Sequence, residues 1–416
     1  MRWSAGNGAV VLSLLFVLLP FAWRRLPWTS LGMVPNPGPL SVAVSHLEVA
    51  ASPRSNSQHG VLASVWYPTP SSSKPTASKR KWMPGPDGFY AQGLAEHLGL
   101  PWPLKGVLLP ALVGTVTMDA LAGDQELLAT AEKLPVVVMS HGVAGWQTLH
   151  STICGALASY GFVVLAVEHR DGSAAIAARN NYTDIIEYQT PTDDIEFRQS
   201  QLDQRVSEVL EAFDLLKNLH EGRDLQNLLG TSIPSLEGRL DLTRVAIAGH
   251  SFGGSTAFRA LMTPDQPFAA GIIIDPGMSS IRAHDRASIT APILSVHAEV
   301  FHSRANLQDM RAVLRSGTTH ARNAFVVLKG TTHRDFTDVM SALPDALRRV
   351  AGHGGVPKDK FFGGVDRVIG GWLKEVMLGR QGAVAKVLPT YLVGQEPGWI
   401  IREEAAWEYL EAVLPT

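Results

Sequence analysis

The chain has 416 residues, 45% of them hydrophobic and 18% charged, with a formal net charge of -2. That balance suits one large α/β domain with added segments and carries no basic footprint for nucleic acid, so no nucleic-acid partner is expected. A single cysteine, Cys154, excludes an intrachain disulfide and reads as core packing. No H-E-x-x-H and no G-x-x-x-x-G-K-[ST] occurs and the 14 histidines are scattered, so neither a metal nor a cofactor is expected.

Residues 9–23 form an apolar run, preceded by Arg2 and followed by Arg24-Arg25. The run is short for a full span, yet it suits either an export signal or a membrane anchor lying outside the fold. Ser30 and Gly32 have the spacing of a cleavage site, whereas the paired arginines favour retention on the cytoplasmic side. Val34-Pro35-Asn36-Pro37-Gly38-Pro39 then reads as a stiff linker, which sets a first segment at 1–39 and a catalytic domain at 40–380.

Residues 40–50 and 61–67 alternate like paired strands, and 69–81, rich in Ser, Pro, Lys and Arg, reads as an exposed loop. The stretch 89–121 carries Trp102, Val107, Leu108, Leu109 and Leu112, which fit either an interfacial segment docking on lipid or ordinary core helices. Leu134-Pro135-Val136-Val137-Val138-Met139-Ser140 is a buried-strand run that empties into His141-Gly142-Val143-Ala144-Gly145. Residues 171–205 read as a polar insertion of lid type, with an N-x-T sequon at Asn181 that matters only in the secretory pathway. An amphipathic helix is expected over 206–219, with Val206, Val209, Leu210, Phe213 and Leu216 on one face.

Val245-Ala246-Ile247-Ala248 runs straight into Gly249-His250-Ser251-Phe252-Gly253, a strand entering a G-x-S-x-G turn, with a helix expected from Ser255 to Met262. A nucleophilic serine held proud of a sheet needs a turn so tight that flanking side chains would collide, which explains glycine at 249 and 253. Attack on an ester also needs a base, an acid to orient it and amides aimed at the developing oxyanion. In the order expected for this turn, Gly271-Ile272-Ile273-Ile274 ends on Asp275, the run 292–298 ends on Glu299, and the run 324–330 is followed by His333.

His333 is therefore the base candidate. Asp275 and Glu299 compete as the acid; the shorter aspartate beside Pro276-Gly277 is the better-fixed group. The oxyanion donors are expected to be the amides of Phe252 and Val143, with Gly142 allowing close approach. His141 reads as a residue bracing that loop. A closing helix is expected over 365–377, and the tail 381–416 matches no recognisable pattern.

Ser140-His141-Gly142, Thr148-Leu149-His150-Ser151, Gly161-Phe162-Val163-Val164 and Glu168-His169-Arg170-Asp171-Gly172-Ser173-Ala174 together resemble the platelet-activating factor acetylhydrolases of the plasma and intracellular type II kind. The serine turn, Gly330-Thr331-Thr332-His333, Val65-Trp66-Tyr67-Pro68 and Gly93-Leu94-Ala95-Glu96-His97-Leu98 are similar to the same family, and the likeness covers roughly residues 40 to 375. The resemblance implies an α/β-hydrolase fold: a mostly parallel central sheet with helices on both faces. It also implies Asp275 rather than Glu299 as the acid, and Val143 and Phe252 as oxyanion donors.

The activity it implies is calcium-independent hydrolysis of the sn-2 acetyl or short, oxidised acyl ester of platelet-activating factor-like phospholipids at a lipid surface. One departure stands out. Where the family usually has Ala-Trp-Met after the acid, this chain has Pro276-Gly277-Met278, which removes an aromatic wall from the expected acyl pocket. A general carboxylesterase or polyester hydrolase is the second reading; a membrane-tethered binding protein without turnover is the third.

Overall fold

The computed structural model describes residues 33–51, 59–70, 78–102, 104–190, 195–281, 289–316, 323–343, 345–350, 355–379 and 400–402. The expected signal or anchor at 9–23 and nearly all of the tail lie outside them. Among the described residues no helix is long and apolar enough to cross a membrane.

An eleven-stranded sheet, ordered β13-β12-β11-β10-β9-β5-β6-β2-β1-β4-β3, runs through the molecule. Its N-terminal side is made by β1 (Ser41–Val49), β2 (Val61–Thr69), β3 (Lys79–Lys81) and β4 (Thr117–Ala122). β1 and β2 pair antiparallel from Ser41 opposite Thr69 to Val49 opposite Val61, as their alternation predicts. The six central strands are parallel: β5 (Leu134–Ser140), β6 (Val163–Val167), β9 (Leu240–His250), β10 (Ala270–Ile274), β11 (Ile293–Val300) and β12 (Ala324–Thr332). β13 (Ile400–Arg402) pairs antiparallel with β12 at the edge.

Between them lie α1 (Phe89–His97), α2 (Leu109–Val113), α3 (Ser151–Ser159), the hairpin β7 (Ile176–Arg179) and β8 (Asp184–Glu187), and α4 (Ile195–His220). After the serine come α5 (Phe252–Leu261), α6 (Arg304–Ser316), α7 (Asp338–Ala342), α8 (Asp345–Val350) and α9 (Lys358–Val376).

The parallel strands are apolar on both faces because both are covered. Val136, Val138, Val245, Ile247 and Ile273 bury against α4, α5 and α6, whereas Val137, Met139, Ala246, Ile272 and Ile274 bury against α3 and α9. Each valine, isoleucine or methionine among them contributes about 1.5–3 kcal/mol of burial. Cys154 is buried in the second of these layers, and burial pushes its thiol far up.

Four expectations change. Residues 34–39, read as a linker, are bonded along the domain: the Val34 N–H donates to Ser341 Oγ (3.2 Å), the Asn36 N–H to Asp119 Oδ2 (2.9 Å) and the Gly38 N–H to Ser159 Oγ (2.9 Å). The exposed loop at 69–81 ends in a strand, β3, paired with β4. The insertion at 171–205 contains a hairpin, and its last residues already belong to α4, which starts eleven residues before the apolar periodicity does. Periodicity missed that part because, apart from Leu202, its buried side chains, Gln199, Gln201 and Arg205, are polar. The closing helix likewise begins earlier, at Lys358.

Candidate active site

Strand register brings the site together. Ser140, Gly249, Ile273, Ser295 and Phe325 stand in one row across β5, β9, β10, β11 and β12. Ser251 and Asp275 therefore leave the sheet at the same level, two residues beyond that row. His333 lies eight residues beyond it because β12 runs on past a register shift near Ala298 and Val300. The chain reverses direction across the sheet between β5 and β9, so this is also where the loops of a doubly wound sheet part to leave a crevice.

The serine turn is strained. Ser251 has φ 59° and ψ -121°, an unfavourable conformation for a side chain with a Cβ. A Cβ on Gly249 would stand 2.0 Å from the Gly253 carbonyl oxygen, and one on Gly253 would stand 2.1 Å from that of Ser140. Both positions thus admit only glycine. A Cβ on Gly142 would lie 2.9 Å from Ser251 Cβ, so the 141–145 loop passes directly over the serine. The Ser251 N–H donates to the Ile274 carbonyl (2.9 Å), tying the turn to the strand that carries Asp275.

Asp275 is fully buried, also at positive φ (44°), and its N–H donates to the Val296 carbonyl (3.0 Å). His333 Nδ1 lies 3.1 Å from Asp275 Oδ2, so the ring donates to the carboxylate. Glu299, the competing carboxylate, instead accepts from the Gly330 N–H. Burial by itself would raise the Asp275 carboxyl; the hydrogen bonds from His302 and His333 outweigh it and hold the group well below the usual carboxylate range.

The His333 ring is packed on two sides. Phe301 stacks on it with centroids 3.7 Å apart, and His250 lies at 4.4 Å while its Nε2–H donates to the His333 carbonyl (3.0 Å). Burial, with the neighbouring His333 and His150, drives His250 far below the ordinary imidazole range, and burial takes His150 down to about 3.

The expected oxyanion segments share one brace. The Arg205 Nη1–H donates to the His141 carbonyl (2.6 Å), and its guanidinium sits 4.6 Å from the centre of the Phe252 ring. Arg205 is held in turn by Asp171 Oδ2 (2.9 Å) and by Ser173 Oγ (2.6 Å from Nη2). His141 is buried, with Nδ1 donating to the Gly142 carbonyl (2.8 Å) and Nε2 accepting from the His169 N–H (3.2 Å), the bracing role expected of it. Val143 is partly buried against the core, and Ala144, at φ 56°, donates its N–H to the Ser173 carbonyl (2.7 Å).

Over residues 33–356 the chain matches the family described as platelet-activating factor acetylhydrolase, isoform II. It belongs to that family. It is 34% identical over 311 residues to the platelet-activating factor acetylhydrolase of Cavia porcellus, covering 72% of this chain and 67% of that one. With that of Canis lupus familiaris it is 30% identical over 292 residues, covering 67% and 63%. The chain therefore spans about two thirds of the length of these relatives. A ferulic acid esterase from Streptomyces cinnamoneus has the same fold, with a TM-score of 0.61 at 17% identity over 90% of this chain and 99% of that one.

Sequence reasoning missed Phe301, His297, His302 and Arg205. A signal for the histidines existed: Ser295 and His297 are polar at alternate positions of an apolar strand, which puts both on one face. Two sets, His250–Asp275–His333 and Asp275–His297–His302, bring metal-ligating atoms within 4.8 Å of one another. Hydrogen bonds already engage several of these groups. His250 donates to the His333 carbonyl, His333 donates to Asp275, and His302 Nε2 lies 3.0 Å from Asp275 Oδ1.

Proposed function

We propose that this protein hydrolyses the sn-2 acetyl or short acyl ester of platelet-activating factor-like phospholipids through an acyl-enzyme. The carrying observation is the Asp275–His333 hydrogen bond (3.1 Å) beside a strained Ser251 at the ends of neighbouring strands, in a chain of this family. Ser251 Oγ attacks the sn-2 carbonyl while His333 Nε2 takes its proton, and Asp275 keeps Nδ1 protonated and stabilises the imidazolium. The amides of Val143 and Phe252 receive the oxyanion; losing one such donor typically costs about 3 kcal/mol. The proton then passes from His333 to the departing lysophospholipid oxygen. Water, deprotonated by the same histidine, releases the short acid and free Ser251.

Trp102 is 67% exposed and Val107 55% exposed, near α1 and α2. Such side chains lose water on entering a lipid interface, which supports docking of this face on a phospholipid surface. A broader esterase is the second reading, favoured by one observation. A Cβ on Gly277 would meet only Ser255 Oγ, at 3.8 Å, so space stands open where the family usually carries a tryptophan.

The test is kcat/KM on phosphatidylcholines with sn-2 chains from acetyl to palmitoyl, with Ser251→Ala as blank. A steep fall with length supports the acetylhydrolase. A flat profile supports the broader esterase, and no turnover above the blank rejects both.

A further inference from the structure

We propose that His302 is a positioning residue for the reaction: locked by Asn306 as a neutral Nε2–H donor, it holds Asp275 Oδ1 so that Oδ2 stays turned to His333. This rests on the roles given above to Ser251, His333 and Asp275.

Proton positions follow from the partners. Asn306 Oδ1 accepts from the Met278 N–H (2.7 Å), and its Nδ2 donates to the Pro276 carbonyl (3.0 Å). Those backbone groups fix which end of the amide is which. The second Nδ2 proton then points at His302 Nδ1, 2.8 Å away, which must accept it. The proton of the neutral ring is thereby forced onto Nε2, 3.0 Å from Asp275 Oδ1. His297 fits the same scheme: its Nδ1 lies 3.0 Å from His302 Nε2 and shares that proton, while its Nε2 donates to Ser295 Oγ (2.7 Å). A protonated His302 would set an Nδ1–H against the Asn306 amide protons. The ring therefore donates to Asp275 without bringing a charge that would compete with the imidazolium of His333.

The carboxylate plane is then held from three directions. The Ala298 N–H (2.9 Å) and His302 Nε2–H bind Oδ1, and His333 binds Oδ2. Asn306 also clamps both sides of the Pro276-Gly277 turn, so Asp275 and its brace are seated on the same side chain. A deleted donor leaves an oxygen of a buried carboxylate with the backbone amide alone.

His302→Leu, His302→Gln, Asn306→Leu and Asp275→Asn test this by kcat and KM on p-nitrophenyl acetate from about pH 5 to about pH 9, with melting curves to verify folding. The groups facing the Asp275–His333 pair are His250, with His150 behind it, His297 on β11 and His302 just past it. Asp335, two residues past His333, is paired with Arg348 (2.7 Å). Burial keeps His150 and His297 at about 3 and about 4 and His250 far down, so none of these three titrates in that window.

His302→Leu should lower kcat about 10- to 100-fold with KM within about threefold. It should also move the acid limb upward, because a carboxylate with one donor fewer holds the His333 imidazolium more tightly. The amide nitrogen of glutamine reaches where Nε2 stood, so His302→Gln should restore both to near wild type, and Asn306→Leu should lower kcat in the same direction. Unchanged activity in His302→Leu, or His302→Gln as impaired as His302→Leu in a folded protein, overturns the proposal. Should His302→Leu not fold, the His302→Gln and Asn306→Leu results decide: wild-type kcat in Asn306→Leu or a crippled His302→Gln rejects it. Full activity in Asp275→Asn would instead sink the reading of the triad on which it rests.

Discussion

Phe301 lies flat on His333, with ring centroids 3.7 Å apart and planes 6° from parallel. The histidine side chain is about a quarter exposed, so this stack, the neighbouring His250 ring and the bond to Asp275 together limit how the ring turns. An aromatic pair of this kind contributes about 0.5–1.5 kcal/mol. Phe301→Ala should therefore lower kcat/KM about 3- to 10-fold, whereas Phe301→Tyr should retain nearly all of it. Steady-state kinetics on a short-chain ester reads both.

Asp275 and Glu299 end successive strands, and only the first reaches His333. Asp275→Asn should lower kcat by roughly 10⁴-fold, since the amide favours the wrong imidazole tautomer. Glu299→Gln should stay within about threefold of wild type, because Glu299 accepts from the Gly330 N–H at the surface and makes no hydrogen bond with His333. Equal losses in the two variants would refute the assignment of the acid.

Gly277 sits at φ -90° and ψ 93°, a conformation open to any side chain, with free space where a Cβ would stand. Gly277→Trp should fill that space and steepen the dependence of kcat/KM on sn-2 chain length. Each methylene that no longer finds apolar cover forfeits about 0.8 kcal/mol, roughly fourfold in binding. A chain-length profile identical to wild type would exclude Gly277 from the acyl pocket.

Asp338 accepts from the Ser151 and Thr152 amides and the Ser151 hydroxyl at the start of α3, yet burial outweighs those bonds and raises its carboxyl to about 6. A carboxyl raised on folding stabilises the protein fully below its unfolded pKa of about 4 and loses that stabilisation as pH rises through about 6. The shift corresponds to about 3 kcal/mol. Asp338→Asn should flatten this fall in stability between about pH 4 and about pH 6, where urea unfolding of the two proteins is compared. Parallel curves for the two proteins across that window would show that Asp338 does not titrate there.

The strands were legible because continuous apolar runs such as 134–139 and 271–274 suit only positions covered on both faces, and the serine turn because steric crowding leaves glycine as the sole residue at 249 and 253. The order of Ser251, Asp275 and His333 could be read because each follows directly on a strand. What stayed hidden was polar and buried: the start of α4, with Gln199, Gln201 and Arg205 facing inward, resembles a surface loop in any reading based on hydrophobic period. Arg205 is inside because Asp171, Ser173 and the His141 carbonyl, 32 to 64 residues away in sequence, supply its partners.

The motifs along the chain carried the family resemblance, and the sequence by itself also determined the parallel sheet and which residues end its strands, since local sterics and burial act on neighbours along the chain. Position along the chain left Asp275 and Glu299 open and the resemblance favoured Asp275; only the tertiary structure set which carboxylate meets His333. That choice depends on how far β12 overhangs β10 and β11, and on which carboxylate then lies within 3.1 Å of His333. The tertiary structure alone also revealed His302. Its proton is fixed by an amide whose own orientation is set by two backbone groups on another loop, and no pattern along the chain records such a relation.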